Sequence, residues 1–287
     1  MARKHLAAND ADGKPRIIAK QETRGQEPGR SDIPAKKIGI VLPSLREAPN
    51  LERLIPSIEA IFARHGIDGH IFVIDDDSRD GTDGIVRGFA REFRNITYVQ
   101  RTGKHGLGSA YRLGFTHALR AGMDIVFEMD ADFSHRPLYI PLFLECMDRT
   151  RADLVIGSRY CVRGGTDGWP LKRRLISLVA NILTQFALGI NQTRDMTSGF
   201  RAYTARALRS IDYEALETNG YAWQIETLYK SRMQGHAINE IPIIFHERNT
   251  GESKLGTRDI FEFITFLFHA ILFRVKQLRI SRERKQW

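Results

Sequence analysis

Cysteine is scarce in this chain: Cys146 and Cys161 are the only two in 287 residues, and no CxxC pair occurs. That excludes a disulfide framework and a cysteine-based zinc site, and it fits a reducing compartment. No apolar h-region follows Met1, so no secretion is expected. Two nucleotide fingerprints are also missing. The GxxxxGK[ST] pattern fails because Tyr98 stands at its first glycine, and GxGxxG fails because Tyr111 takes its third. The acidic run Asp75–Asp80 lacks the DxDxDG spacing and distal Glu of a calcium loop. There is no internal repeat and no low-complexity tract.

What is present is an ordinary globular composition, 42% hydrophobic and 27% charged, with a net charge of +9. Such a charge calls for an anionic partner: nucleic acid, a phosphorylated small molecule or a lipid surface. Its distribution narrows the choice. Residues 1–37 hold nine Lys/Arg and five Asp/Glu with almost no apolar periodicity. Residues 1–36 therefore read as a basic, disordered arm. The terminal "RVKQLRISRERKQW" carries six basic residues against one acidic, directly after an apolar helical pattern. A non-catalytic nucleic-acid-binding protein would interleave aromatics with Lys/Arg. Here the aromatics gather in Phe261–Phe273 with few charges, so nucleic acid is not an expected partner and that reading is a remote alternative.

From Ile38 onward, short β-branched runs alternate with helical patterns. "IGIVL", "HIFVI", "ITYV", "DIVFEM" and "DLVIG" are strand-sized. "LERLIPSIEAIF" places Leu51, Leu54, Ile55, Ile58 and Phe62 on one helical face, and "SAYRLGFTHALRAG" is a helix closed by Gly122. The alternation predicts an α/β fold, a largely parallel sheet with helices on both faces. "PLKRRLISLVANILTQFALG" and "AWQIETLYKSRMQG" predict further helices, "GFRAYT" a short strand, and "AINEIPIIFHER" a strand broken at Pro242. In such sheets ligands gather beyond the carboxyl ends of the strands, which is where the polar motifs fall.

After the first strand, "VLPSLRE" puts Glu47 in a loop near any ligand there; a solvated glutamate is the alternative. "IDDDSRDGT" suits a side-chain-bonded turn or a metal or nucleotide contact. "RTGKHGLGSAY" sets glycines before a helix, where backbone N–H groups can meet an anion. "MDADFSH" is sharper. Asp130 and Asp132 stand two apart in an extended segment and face the same way. Their repulsion, several kcal/mol at an effective dielectric of about 20, calls for a divalent cation; Mg²⁺ or Mn²⁺ suits hard oxygens and keeps positions for substrate phosphates. The alternative is a helix cap before "PLYIPLFLEC", which Ser134 also offers. His135 is read as structural.

Taken together and in order, "VLPSLRE", "IDDDSRDGT", "GKHGLGSAY", "MDADFSH", "GSRY", "GWPLKRRLIS", "DMTSGFRAY" and "GESKL" resemble the inverting family-2 glycosyltransferases of GT-A fold, and among them the dolichol-phosphate mannosyltransferase catalytic subunits. The resemblance covers about residues 37–255. It implies that Pro43, Leu45, Glu47, Ile74 and Asp76 contact the donor nucleoside. It implies that Asp130 and Asp132 hold the metal on the donor diphosphate, with Ala131 lining the site and Ser134 close by as a further ligand. It implies that Arg159, Arg248 and Lys254 grip phosphates, that Arg173 and Ser177 meet the acceptor phosphate, and that Asp195 stands near the sugar. Asp132, Arg159, Asp195 and Arg248 form the implied catalytic set. One departure is Leu45, where the family usually has tyrosine; the lost ring bears on guanine against uracil and leaves the reaction class intact.

The implied reaction moves mannose from GDP-mannose to dolichyl or polyprenyl phosphate at the cytoplasmic face of a membrane, with a UDP-sugar donor as the alternative. The acceptor is already an anion at neutral pH, so no strong base is needed. A site rich in Asp and Arg without a Ser-His-Asp set agrees with that. The segment "DIFEFITFLFHAILFRVKQLRI" has apolar runs far shorter than the ~20 residues that span a bilayer. Glu262, Thr265, His269 and Lys276 share one face of it, opposite phenylalanines and leucines. It predicts an amphipathic interface helix in residues 257–287, following a glycosyltransferase domain of residues 37–256. Covering the domain's own core, or meeting a membrane-embedded partner subunit, are the other uses of such a helix.

Overall fold

A computed structural model describes residues 36–247 apart from positions 104, 217 and 219, together with Thr265 and Ile271, both helical. The expected arm, Arg248, Lys254 and nearly all of the expected interface helix lie outside the described residues.

Five runs expected as strands are strands: β1 (Lys37–Ser44), β2 (Asp68–Asp76), β3 (Ile96–Arg101), β4 (Ile125–Glu128) and β5 (Leu154–Ser158). A three-residue strand, β6 (Gly165–Asp167), follows, then β7 (Arg201–Thr204). Pro242 divides the last strand pattern into β8 (Ile238–Pro242) and β9 (Ile244–His246), which join different sheets. The helices are α1 (Ala48–His65), α2 (Thr82–Glu92), α3 (Leu107–Arg120), α4 (Ile140–Thr150), α5 (Leu171–Leu188), α6 (Ala205–Ser210) and α7 (Gly220–Met233). The main sheet runs β3-β2-β1-β4-β7-β5-β8; β6 pairs with β9 apart from it. All its pairings are parallel except those of β7, which lies antiparallel between β4 and β5.

Side-chain alternation builds a core on each face. Ile38, Ile40 and Leu42 of β1, Ile71 and Val73 of β2, and Ile125 and Phe127 of β4 meet α1 and α4 on one side. Val41, Phe72, Ile74 and Val126 meet α3 and α7 on the other. Leu51, Leu54, Ile55 and Ile58 of α1 are fully buried, each contributing about 1.5–3 kcal/mol. Gly114 lets α3 lie directly on β1, since a Cβ there would stand 2.2 Å from Val41 Cγ1.

The topology positions the site. The chain winds outward from β1 to β3, then returns to place β4 on the other side of β1. Beyond the carboxyl ends of β1 and β4 the following loops diverge, the usual ligand crevice of such sheets. Because β7 runs backwards, the loop Asp195–Phe200 before it enters at the same end.

Candidate active site

Four loops meet at that crevice, and hydrogen bonds lock two of them together. The Arg46 N–H donates to Ser78 Oγ (2.6 Å) and the Ala48 N–H to Asp80 Oδ2 (3.0 Å), tying the loop after β1 to the loop after β2. Most of the acidic cluster serves such turns. Asp75, fully buried, accepts from the Ser78 N–H (3.1 Å), Ser78 Oγ (2.5 Å) and the Tyr98 hydroxyl (3.1 Å). Asp80 accepts from Ala48 and from both Thr82 donors; burial pushes its carboxyl up, but these bonds outweigh that and hold it below the ordinary range.

Asp76 is spent similarly. Arg101 pairs with its Oδ1 (Nε at 2.6 Å), and the His105 and Gly106 N–H groups donate to Oδ2 at 3.0 and 3.2 Å. Its carboxylate thus organises the glycine-rich loop. Ile74 likewise has its side chain in the core beneath α3. Pro43, Leu45 and Glu47 do border the crevice, with Glu47 Oε2 accepting from Asn50 Nδ2 at 2.7 Å.

The loop after β4 holds the paired acids. Asp132 is buried, and Ser134 donates both its N–H (3.0 Å) and Oγ–H (2.6 Å) to Oδ1. Ser134 therefore orients the Asp132 carboxylate. Neither residue caps a helix: the next turn, Pro137–Tyr139, has Arg136 at its N-cap and no side-chain cap bond. The side chain of Asp130 is 27% exposed, and Tyr111 donates to its Oδ1 at 3.4 Å. Its N–H donates to His135 Nδ1 (3.0 Å), so that nitrogen is not available to a metal. His135 stacks on Phe200 at 4.9 Å, and burial pushes its imidazole toward the neutral form. Ala131 is buried between the two acids. Phe133, at φ +63°, lines a cleft of about 610 Å³ shared with Arg53, Arg136, Gly168 and Glu247.

This donor set passes a chemical test for a divalent ion. Among the described residues no group of three or more His, Cys, Asp or Glu is arranged to hold a metal. Two carboxylates, one oriented by Ser134 and one partly open, are hard ligands that leave the remaining positions to substrate oxygens, as Mg²⁺ and Mn²⁺ sites at phosphates commonly do.

Behind them lies Glu128, fully buried at the end of β4 and not singled out in the sequence reading. Its Oε1 accepts from Trp223 Nε1 at 2.9 Å, its Oε2 has no hydrogen-bond partner among the described residues, and burial pushes its carboxyl up to about 7. The one signal was a glutamate inside an otherwise apolar strand.

Arg159 and Asp195 are brought together, against each other. Arg159 donates its backbone N–H (2.9 Å) and Nε (2.7 Å) to Asp195 Oδ2, and Nη2 to Oδ1 (2.7 Å) and to Thr197 Oγ1 (2.8 Å). Burial alone would raise the Asp195 carboxyl; the guanidinium overrides it and holds the group below the carboxylate range. The residues expected to grip a phosphate and to stand near the sugar are thus bonded to each other in a buried pair. Tyr160, Trp169 and Phe245 surround the guanidinium, with ring centroids 5.4–5.6 Å from Cζ.

Arg173 and Ser177, one turn apart on α5, share a face toward this cluster. Arg173 Cζ lies 4.1 Å from the Trp169 ring centroid, its Nη1 donates to Glu247 at 3.1 Å, and the Tyr160 hydroxyl donates to Ser177 Oγ at 2.7 Å.

The chain is similar to known proteins in sequence and in fold. The model of glycosyl transferase family 2 matches residues 39–212. The chain is 44% identical over 186 residues to an undecaprenyl-phosphate mannosyltransferase of Micrococcus luteus, covering 65% of this chain and 75% of that protein. It is 35% identical over 244 residues to the polyprenol monophosphomannose synthase of Mycolicibacterium smegmatis, covering 85% and 89%. Among solved structures, glucosyl-3-phosphoglycerate synthase of Mycobacterium tuberculosis shares the fold at 20% identity. Its complex with Mn²⁺, UDP and phosphoglyceric acid superposes with a TM-score of 0.59 over 82% of this chain and 78% of that one. Its complex with Mg²⁺ and UDP gives 0.59 over 82% and 79%.

Proposed function

Since the chain belongs to glycosyl transferase family 2 and is a glycosyltransferase, we propose that it transfers mannose from GDP-mannose to the phosphate of a dolichyl or polyprenyl lipid, at the cytoplasmic face of a membrane. The names of the two relatives support the mannose and the polyprenyl phosphate. The observation that carries the reading is the pair Asp130 and Asp132 in the loop beyond β4, where the sheet's ligand crevice opens.

In this reading Asp130 and Asp132 hold Mg²⁺ or Mn²⁺, which supplies positive charge to the leaving diphosphate. Pro43, Leu45 and Glu47 border the nucleoside, and Arg248 and Lys254 add phosphate contacts. Arg173 and Ser177 hold the acceptor phosphate in line with the sugar. Its oxygen attacks C1, the C1–O bond to the diphosphate breaks, and the electron pair leaves with the nucleotide, inverting C1. No proton needs to move, so placement and charge do the work. The Arg159–Asp195 pair acts as scaffold beneath these groups.

The outer face of α5 supports a lipid-borne acceptor. Leu171, Leu175, Ile176, Leu178, Val179, Ile182, Leu183 and Phe186 are exposed, while Asn181 and Thr184 are buried. At 100° per residue the exposed side chains span an arc of roughly 160°, an inside-out helix whose apolar side suits a membrane interface. No helix among the described residues is long and apolar enough to cross a membrane. Residues 257–287 add a basic, amphipathic contact with the membrane or with an embedded subunit.

Purified chain with Mn²⁺ or Mg²⁺, farnesyl phosphate and a panel of sugar nucleotides tests the reading. Mannosyl phosphate product from GDP-mannose is expected. Turnover of a UDP-sugar alone would shift the assignment to the second reading, which Leu45 and the UDP-bound structural neighbours favour.

A further inference from the structure

Trp169 has a feature that none of these roles uses. The residue is 7% exposed, and its indole Nε1 is buried without a hydrogen-bond partner among the described residues. A buried N–H lacking an acceptor is destabilising, and a buried tryptophan ordinarily finds one. Phenylalanine would fill the same space free of that cost.

The surroundings indicate what the N–H awaits. Two guanidinium groups approach this one ring, Arg173 at 4.1 Å and Arg159 at 5.4 Å, with Phe245 edge-on at 5.2 Å. Arg159 is neutralised by buried Asp195. Among the described residues Arg173 pairs only with Glu247, at 3.1 Å, with side chains 31% and 43% exposed; such a pair is weak and readily exchanged for a stronger anion. Gly168 and Glu247 line the 610 Å³ cleft, so a ligand entering there meets Glu247 and the residue next to Trp169. Because Tyr160 donates to Ser177 Oγ, Ser177 keeps its own hydroxyl hydrogen to donate.

We infer that Trp169 is a substrate-contacting residue whose indole N–H donates to a phosphate oxygen of the acceptor, beside Arg173 and Ser177. This rests on the polyprenyl-phosphate reading above. The phosphate takes the place of Glu247 on Arg173, Arg173 moves with it, and the edge of the indole opens to the same anion.

The full chain carrying Trp169→Phe keeps the ring and loses the N–H. Its KM for farnesyl phosphate is expected to rise about tenfold or more, the loss of one bond to a charged group. KM for the sugar donor stays the same, and thermal stability is unchanged or higher. A second readout is the indole N–H resonance in protein labelled with ¹⁵N-tryptophan, where only three tryptophans contribute. The Trp169 signal, identified by its absence in W169F or by sequential assignment should that variant not fold, is expected to move with farnesyl phosphate and not with farnesol. An unchanged acceptor KM in W169F, or a signal indifferent to farnesyl phosphate in protein that turns it over, overturns the inference. If no sugar reaches any polyprenyl phosphate while inorganic phosphate still moves the signal, the function reading fails and the anion contact at Trp169 stands.

Discussion

Replacing Arg159 by Met separates a scaffold from a substrate contact. Asp195 has no exposed surface, and three of the bonds it accepts come from Arg159: the backbone N–H, Nε and Nη2. Methionine fills most of the space but keeps only the backbone donor. A buried carboxylate stripped of its partner costs about 3–5 kcal/mol, or roughly 10 °C of melting temperature for a chain of this size. The pH dependence supplies an independent sign. In the wild type Arg159 depresses the Asp195 pKa, so that contribution is present above the unfolded pKa and lost as pH falls through the folded one. In Arg159→Met, burial dominates and raises the folded pKa. The native state then takes up a proton the unfolded chain lacks, and the deficit narrows on acidification. Urea unfolding at pH 7.5 and pH 5 reads both effects. A deficit under about 1 kcal/mol at pH 7.5, or one that does not shrink at pH 5, would refute the paired arrangement and return Arg159 to the phosphates. Lysine at 159 should not rescue, since one ammonium cannot reproduce a guanidinium shared between Asp195 and Thr197.

Asp132→Asn keeps an oxygen for Ser134, so the fold should persist while transfer and metal-dependent donor binding are lost; substantial activity, or full wild-type activity in excess EDTA, would remove the metal assignment. Glu128 titrates the other way from Asp195. Its pKa of about 7 means its contribution is fully present below the unfolded pKa and lost as pH rises through 7. Glu128→Gln should flatten that decline, worth about 3 kcal/mol at most, and parallel urea curves for both proteins between pH 5 and 8 would contradict the buried placement. Introducing glutamate at Leu175 and Ile182 on the outward face of α5 should leave melting unchanged and weaken binding to anionic vesicles at least tenfold; unaltered vesicle binding would show that this face is not the contact.

Much of the fold was legible because the two periodicities are local. The β-branched runs and the Leu51–Phe62 stripe announced strands and helix wherever one face had to be apolar. Helix α2 was not singled out, although Val86, Phe89 and Ala90 make a short stripe that packs against the core. Antiparallel β7 could not be told from a parallel strand, because alternation is the same in both directions.

The sequence by itself determined the α/β order, the loops that carry the polar motifs, and the pair Asp130 and Asp132, since these depend on neighbours within a few residues. Tertiary structure decided how each charge is spent. It closed Asp76 on Arg101 and the glycine-rich loop, Asp195 on Arg159, and Ser134 on Asp132, and it turned the apolar side of α5 outward. It also left the Trp169 N–H without a partner among the described residues. A carboxylate's role depends on which donors lie within about 3 Å of it, and those donors come from 25 to 36 residues away for Asp76 and Asp195. No local pattern records such distances; only the packing of the chain sets them.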